Sequence, residues 1–179
     1  TVALTVNDLD EVAPTIISGA VATDIDENIS AGQVVYTVSA TDDEDISAGV
    51  TYSLGGTDAS LFDIDPISGE VTLIGVPDHE VQASYSFDVI ATDAAGNFSS
   101  ETVALTVNDL DEVAPTIISV DTVSVDENLN QLYVASATDD EDISAGVTYS
   151  LAEGGDSAVL AIDSDTGVVT LRDGAVLNH

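Results

Sequence analysis

Residues 1–18, TVALTVNDLDEVAPTIIS, return letter for letter as residues 102–119. This feature constrains the fold more tightly than any other, because a chain that copies itself after about a hundred residues is an array of small domains. The repeated stretch has two halves. TVALTV alternates small polar and branched apolar residues, the period of a half-buried strand. NDLDEVAP then places Asp8, Asp10, Glu11 and Pro14 in a short run that suits a rigid link better than a strand or a helix. One domain therefore ends in a strand, an acidic link follows, and the next domain begins at TIIS. Residues 1–12 read as the closing strand and link of a preceding repeat, 13–110 as one complete repeat, and 111–179 as a link and an incomplete second repeat. On this reading the chain is a window on a longer array, or a neighbouring copy donates the missing strands.

Inside the complete repeat, short alternating runs follow one another. The first covers residues 15–22. Val34, Tyr36, Val38 and Ala40 share one face of the next, and Val50, Tyr52 and Leu54 form a third. Then come Phe62 with Ile64, Val71 with Leu73, the clear run Tyr85, Phe87, Val89 and Ala91, and a closing strand over 101–107. Asp65-Pro66-Ile67-Ser68-Gly69 and Ala94-Ala95-Gly96-Asn97 are turn signals between them. Seven short strands without a helical period predict an all-β, Greek-key, immunoglobulin-like sandwich, for which about a hundred residues suffice. The second repeat copies the first in pieces: ATDDEDISAGVTYSL of residues 40–54 returns at 137–151, and Asp26-Glu27-Asn28 returns as Asp126-Glu127-Asn128.

Charge bounds the function. Thirty-four acidic side chains face a single basic one, Arg172, for a net charge of −33. Such a surface repels nucleic acid and anionic membrane. Apolar residues at 44% are too many for a disordered acidic tail. With no cysteine, disulfides and thiol chemistry are excluded. No run approaches eighteen apolar residues, so no membrane-spanning helix is expected.

The carboxylates concentrate where the loops should be: Glu27; Asp42 and Glu44; Asp78 and Glu80; Asp93; and Asp8, Asp10 and Glu11 in the link. Their second copies are Asp109, Asp111, Glu112, Glu127, Asp139 and Glu141. Loops of a sandwich gather at its ends, so clusters on either side of a link are expected to converge on one gap. Two carboxylates about 4 Å apart repel by roughly 4 kcal/mol at an intermediate dielectric, so such a gathering requires cations. Oxygen ligands on flexible loops select a hard ion, Ca²⁺ before Mg²⁺. Asp42 and Glu44 are spaced like a glycosidase pair, but no aromatic or basic platform accompanies them, and no residue is assigned a catalytic role. His79 and His179 read as exposed loop residues and not as ligands.

The order of these motifs resembles that of cadherin repeats, particularly the bacterial cadherin-like repeats of large secreted or surface adhesins. Asp26-Glu27-Asn28 stands where the family has P-E-N. Ala40-Thr41-Asp42-Asp43-Glu44, ahead of Tyr52-Ser53-Leu54, stands for A-x-D-x-D and Y-S-L. Phe62 to Val71, FDIDPISGEV, matches F-x-I-D-x-x-T-G-x-I, and Asp78-His79-Glu80 matches D-x-E. Ala91-Thr92-Asp93 and Gly96 match A-x-D-x-x-G, and Asp109 to Pro115 match the family's link. Three departures fall in that link, where Asp111, Glu112 and Val113 replace Asn, Asp and Asn; Glu44 and Glu141 replace the second Asp of the A-x-D-x-D loop.

The resemblance implies tandem cadherin-like, seven-stranded β-sandwiches that are extracellular, rigidified by Ca²⁺ and not enzymatic. The junction ligands would be Glu27, Asp78, Glu80, Asp109, Asp111, Glu112, Asp139 and Glu141. It further implies adhesion to cells or matrix as the stalk of a large bacterial surface protein, with neighbouring repeats and identical molecules as partners. A subunit of an extracellular filament and a spacer of a secreted enzyme are the alternatives. Tryptophan is absent, so adhesion by exchange of an N-terminal tryptophan is not expected.

Overall fold

The computed structural model describes residues 2–42, 49–126, 129–139 and 146–175. Contacts divide the chain into two units, Thr1–Leu110 and Asp111–His179. The first unit holds β1 (Thr15–Ile16), β2 (Ile25–Asp26), β3 (Val34–Thr37), β4 (Ala40–Thr41), β5 (Thr51–Gly55), β6 (Phe62–Ile64), β7 (Glu70–Leu73), β8 (Ser84–Thr92) and β9 (Phe98–Asn108). One sheet runs β2-β9-β8-β5 and the other β3-β7-β6, while β1 and β4 form a separate ribbon. Pairing is antiparallel except where β2 lies parallel to β9. The expected first strand over 15–22 is thus broken: Thr15–Ile16 pairs with β4, and the chain then crosses to the other sheet, bridging at Val21 and pairing again at Ile25.

Alternation places the core. Along β8, Tyr85, Phe87, Val89 and Ala91 point inward, and along β9 Val103, Leu105 and Val107 do the same. The facing sheet supplies Phe62, Val71, Leu73, Val35 and Tyr36, with Val38 just beyond β3. Phe62 locks the layers together. Its ring centroid lies 4.6 Å from that of Phe87, and it meets Tyr85 edge-on at 5.5 Å. Strict alternation fails at one place. A bulge between Val34 and Tyr36 turns Val35 and Tyr36 both inward and leaves Val34 half exposed, where Val34 and Tyr36 were expected on one face.

In the second unit, β10 (Thr116–Ile117) pairs with β12 (Ala137–Thr138), and β11 (Gln131–Val134), β14 (Val168–Leu171) and β13 (Leu160–Ile162) form one sheet in the order β11-β14-β13. It reproduces the β3-β7-β6 sheet, including a bulge at Gln131/Tyr133. Two identical sequences nevertheless fold differently. Residues 49–54, GVTYSL, contribute to β5, whereas the same letters at 146–151 form no strand. In the first unit they pair with β8; the 179 residues contain no second copy of β8. TVALTV behaves alike. At 102–107 it lies in β9 with Val103, Leu105 and Val107 at 0–1% exposure, whereas Val2, Leu4 and Val6 are 84–97% exposed and form no strand. The strand expected at the start of the chain is therefore not formed. Without a partner ladder and an apolar face to cover, alternation alone does not make a strand.

Gly69 turns the chain between β6 and β7 at φ +74°, and a Cβ there would stand 2.4 Å from the Val38 carbonyl oxygen. Gly167 does the same against Ala135 at 2.3 Å. Gly49 shares a positive φ of +95° but has open space around it. Gly69→Ala is therefore expected to cost about 1–3 kcal/mol from backbone strain, with steric displacement in addition, and Gly49→Ala less. Denaturant melts of the two variants check the ranking, and equal losses would contradict it.

Asp65 pins the same turn by accepting the N–H groups of Ile67 and Ser68 at 2.8 Å each. Asp163 repeats this in the second unit with Asp165, Thr166 and the Thr166 hydroxyl. These donors, above all the Ser68 N–H at Asp65 and the Thr166 hydroxyl at Asp163, hold both carboxyls below the ordinary aspartate range. A carboxyl whose pKa is lowered in the folded state contributes stability above its unfolded pKa and loses it as pH falls through the folded one. Asp65→Asn should thus flatten the acid limb of a stability–pH profile, and an unchanged limb would show that the turn does not feel this charge.

Candidate metal centre

β8 fixes the geography of the acidic loops. Nine residues of strand span about 30 Å. The loop carrying Asp78, His79 and Glu80 enters its start, and Asp93 follows its end. The clusters of the first unit therefore stand at opposite ends of the sandwich, Glu27, Asp78 and Glu80 beside the outgoing link and Asp42 and Asp93 beside the incoming one.

At the far end of β8, Asp10, Asp42 and Asp93 each bring a carboxylate oxygen within 4.8 Å of the others. Asp93 is 5% exposed. Its Oδ1 accepts the N–H groups of Gly96 and Asn97 at 2.7 and 2.8 Å, and Asn97 Nδ2 donates to Oδ2 at 2.9 Å. Desolvation pushes the Asp93 pKa up, but the Asn97 amide and the backbone donors outweigh it and leave the carboxyl below its usual range. Asn97 also donates to the Asp10 carbonyl at 3.0 Å, tying the incoming link to this end. Asp10 Oδ1 accepts the Val12 N–H at 3.3 Å, while its Oδ2 is buried and has no hydrogen-bond partner. A buried, uncompensated carboxylate oxygen facing two further carboxylates is the donor set of a hard cation site.

At the near end of β8 the organiser is Glu27, 1% exposed. Its Oε2 accepts the His79 N–H at 2.8 Å and its Oε1 the Leu110 N–H at 2.6 Å. These two bonds, that from His79 foremost, hold its pKa down against desolvation. The flanking backbone is fixed as well, since Glu27 N–H donates to the Asn108 carbonyl and Asn28 N–H to that of Pro77. Asn108 Nδ2 donates to Asp26 Oδ1 at 2.9 Å. One buried side chain thus staples the 77–82 loop and the outgoing link to the same turn. Around it gather Glu27, Asp78 and Glu80, and beside them His79, Glu80 and Asp109. Glu80 shows the strain of this gathering. A hydrogen bond from its own N–H favours its ionised form, but desolvation and the Glu27 and Asp109 carboxylates together raise its pKa above the ordinary glutamate value.

Of the residues singled out from sequence, seven fall in these groups: Asp10, Asp42 and Asp93 at one end, and Glu27, Asp78, Glu80 and Asp109 at the other. Asp8 and Glu11 lie exposed in the link and outside both groups. Asp111, Glu112 and Asp139 belong to the second unit. Glu44, Glu127 and Glu141 lie outside the described residues. Sequence reasoning missed Asn97, whose amide organises one end, and His79, which is half-buried beside two carboxylates. The Asp-His-Glu spacing was the available signal for His79.

An all-β sandwich with carboxylate groups at both ends defines the class of module. Residues 22–108 match the family model described as the cadherin domain. The chain is 35% identical over 152 residues to protocadherin Fat 2 of Mus musculus, covering 82% of this chain and 4% of that protein. Human protocadherin-24 EC1-2, Form II, superposes with a TM-score of 0.62 at 22% identity, covering 90% of this chain and 80% of that one. The protocadherin gammaB7 EC3-6 cis-dimer structure gives 0.64 at 21%, covering 96% and 46%. The fold is thus the cadherin-type, immunoglobulin-like β-sandwich. The matching module is that of extracellular proteins, and the chain spans only 4% of the length of the Fat 2 relative. No helix among the described residues is long and apolar enough to cross a membrane.

Proposed function

We propose that this chain is a calcium-rigidified segment of an extracellular cadherin array serving cell or matrix adhesion. The observation that carries the reading is the buried Asp10 Oδ2, without a hydrogen-bond partner and set against Asp42 and Asp93. A hard divalent ion bound there supplies the positive charge that this end lacks. Asp10, Asp42 and Asp93 would hold it at one end, and Glu27, Asp78, Glu80 and Asp109 at the other. Asp111, Glu112, Asp139 and Glu141 stay candidate ligands by motif. The chain's own residues do the organising: Asn97 and Glu27 fix the two links against the sandwich. Identical molecules are the proposed adhesive partners, in keeping with the cis-dimer of the gammaB7 structure. The setting in a large bacterial surface protein rests on the motif resemblance alone, since the relatives named above are animal proteins.

Extracellular modules bind calcium with dissociation constants of about 0.1–1 mM. Calcium at ten to a hundred times that value adds about 1.4–2.7 kcal/mol per site. Thermal melts of the chain in calcium and in chelator should therefore separate by several degrees. Coincident melts would overturn the reading.

A further inference from the structure

Calcium does not account for the imidazole at the Glu27 end. His79 Nδ1 lies 3.5 Å from Glu80 Oε1 and 3.4 Å from Asp109 Oδ2. Nitrogen and oxygen donors on a tetrahedral zinc ion stand about 3.3–3.5 Å from one another, given their usual bond lengths. Both carboxylates already stand at that separation from the imidazole, and all three ligand atoms lie within 4.8 Å of one another. Calcium takes oxygen ligands, whereas an imidazole with two carboxylates is a donor set for a borderline transition-metal ion.

The framework is held in place independently of any ion. The His79 N–H is fixed by Glu27 Oε2, and Asp109 is set between Asn108 at the end of β9 and Leu110, whose N–H is fixed by Glu27 Oε1. Asp78 closes the loop by accepting the Val81 N–H at 3.0 Å on its side chain and the Gln82 N–H at 2.9 Å on its carbonyl. Both ligand-bearing segments are thus anchored by a single buried residue that does not itself belong to the histidine group. His79 is about a third exposed, so the site is open to solvent and leaves room for a water as fourth ligand.

We propose that His79, Glu80 and Asp109 form a Zn²⁺ site separate in chemistry from the carboxylate groups. Glu80 belongs to both this group and the group with Glu27 and Asp78, and Asp109 is also one of the ligands proposed above for calcium at this end. Zinc therefore antagonises calcium at this end of the sandwich and leaves Asp10, Asp42 and Asp93, which have no imidazole, to calcium.

Zinc chloride titrated into the whole chain in calcium-free buffer, followed by calorimetry, should show saturable binding. In His79→Ala, one zinc per chain should weaken at least tenfold, because even the groups that merely orient a ligand are worth ten- to a hundredfold. Calcium stabilisation of the Asp10–Asp42–Asp93 end should survive the change. A second readout needs no variant: the Nδ1 resonance of the His79 ring should shift on zinc addition and return when calcium is added in excess. Zinc binding of equal strength in His79→Ala, or an unmoved His79 ring at saturating zinc, would overturn the proposal and leave His79 as an ion-pair partner of Glu80 and Asp109. Neither result would touch the calcium reading, which is tested by calcium alone.

Discussion

Replacing Phe87 with alanine is expected to cost about 3–5 kcal/mol and to lower the melting temperature of the first repeat by well over ten degrees. Phe87 is fully buried, and it is the ring on which the two sheets meet, 4.6 Å from Phe62 and 6.2 Å from Tyr36. Its removal leaves a cavity that no neighbour can fill, because Val89, Val103 and Leu105 around the same core are themselves at 0% exposure and held by strand pairing. Against a typical domain stability of about 5–15 kcal/mol, such a loss decides whether the repeat folds at all. Phe98 is the internal control, since it starts β9 but is 65% exposed. Phe98→Ala should stay within about 0.5 kcal/mol of the parent. A loss at Phe87 below about 1.5 kcal/mol in denaturant melts, or equal losses at the two positions, would contradict the core described above.

The second large effect is the removal of calcium from both ends of the first repeat, which should cost about 3–5 kcal/mol in total if each end holds one ion at ten to a hundred times its dissociation constant. The two ends are separable. Asp42→Asn should abolish the part of the calcium-dependent melting shift that belongs to the Asp10 end, and Asp78→Asn the part that belongs to the Glu27 end. The effects should add, because the two sites stand about the length of β8 apart, well beyond the distance at which neighbouring mutations couple. Loss of the whole calcium response in either single variant would show one coupled site and would contradict the separation.

Much of this was legible from residues alone, and the exceptions have physical causes. The succession of strands along the chain followed from alternation and from turn residues, because burial on one face imposes period two wherever a sheet covers a core. The bulge at Val34–Tyr36 broke that rule, and nothing in the letters VVYT distinguishes a bulged strand from a regular one. TVALTV and GVTYSL each occur twice and pair in one copy only. Their strand state is therefore set by pairing with β8, and not by their own composition. The acidic loops were found from their motifs, and the motif order already set Glu27, Asp78 and Glu80 with the outgoing link; the physical cause of that division is which loops enter and leave β8. Glu27 was recognised as a candidate ligand. Its role in stapling two chain segments through the N–H groups of His79 and Leu110 depends on main-chain positions, which carry no sequence signature.

Calorimetric titration of calcium into metal-free chain tests the central claim most directly. The account predicts saturable heat with dissociation constants near a millimolar or below, more than one ion per chain, and loss of distinct parts of that heat in Asp42→Asn and Asp78→Asn. The absence of saturable heat, or an isotherm that neither variant alters, would show that these carboxylate groups do not bind the ion on which the account rests.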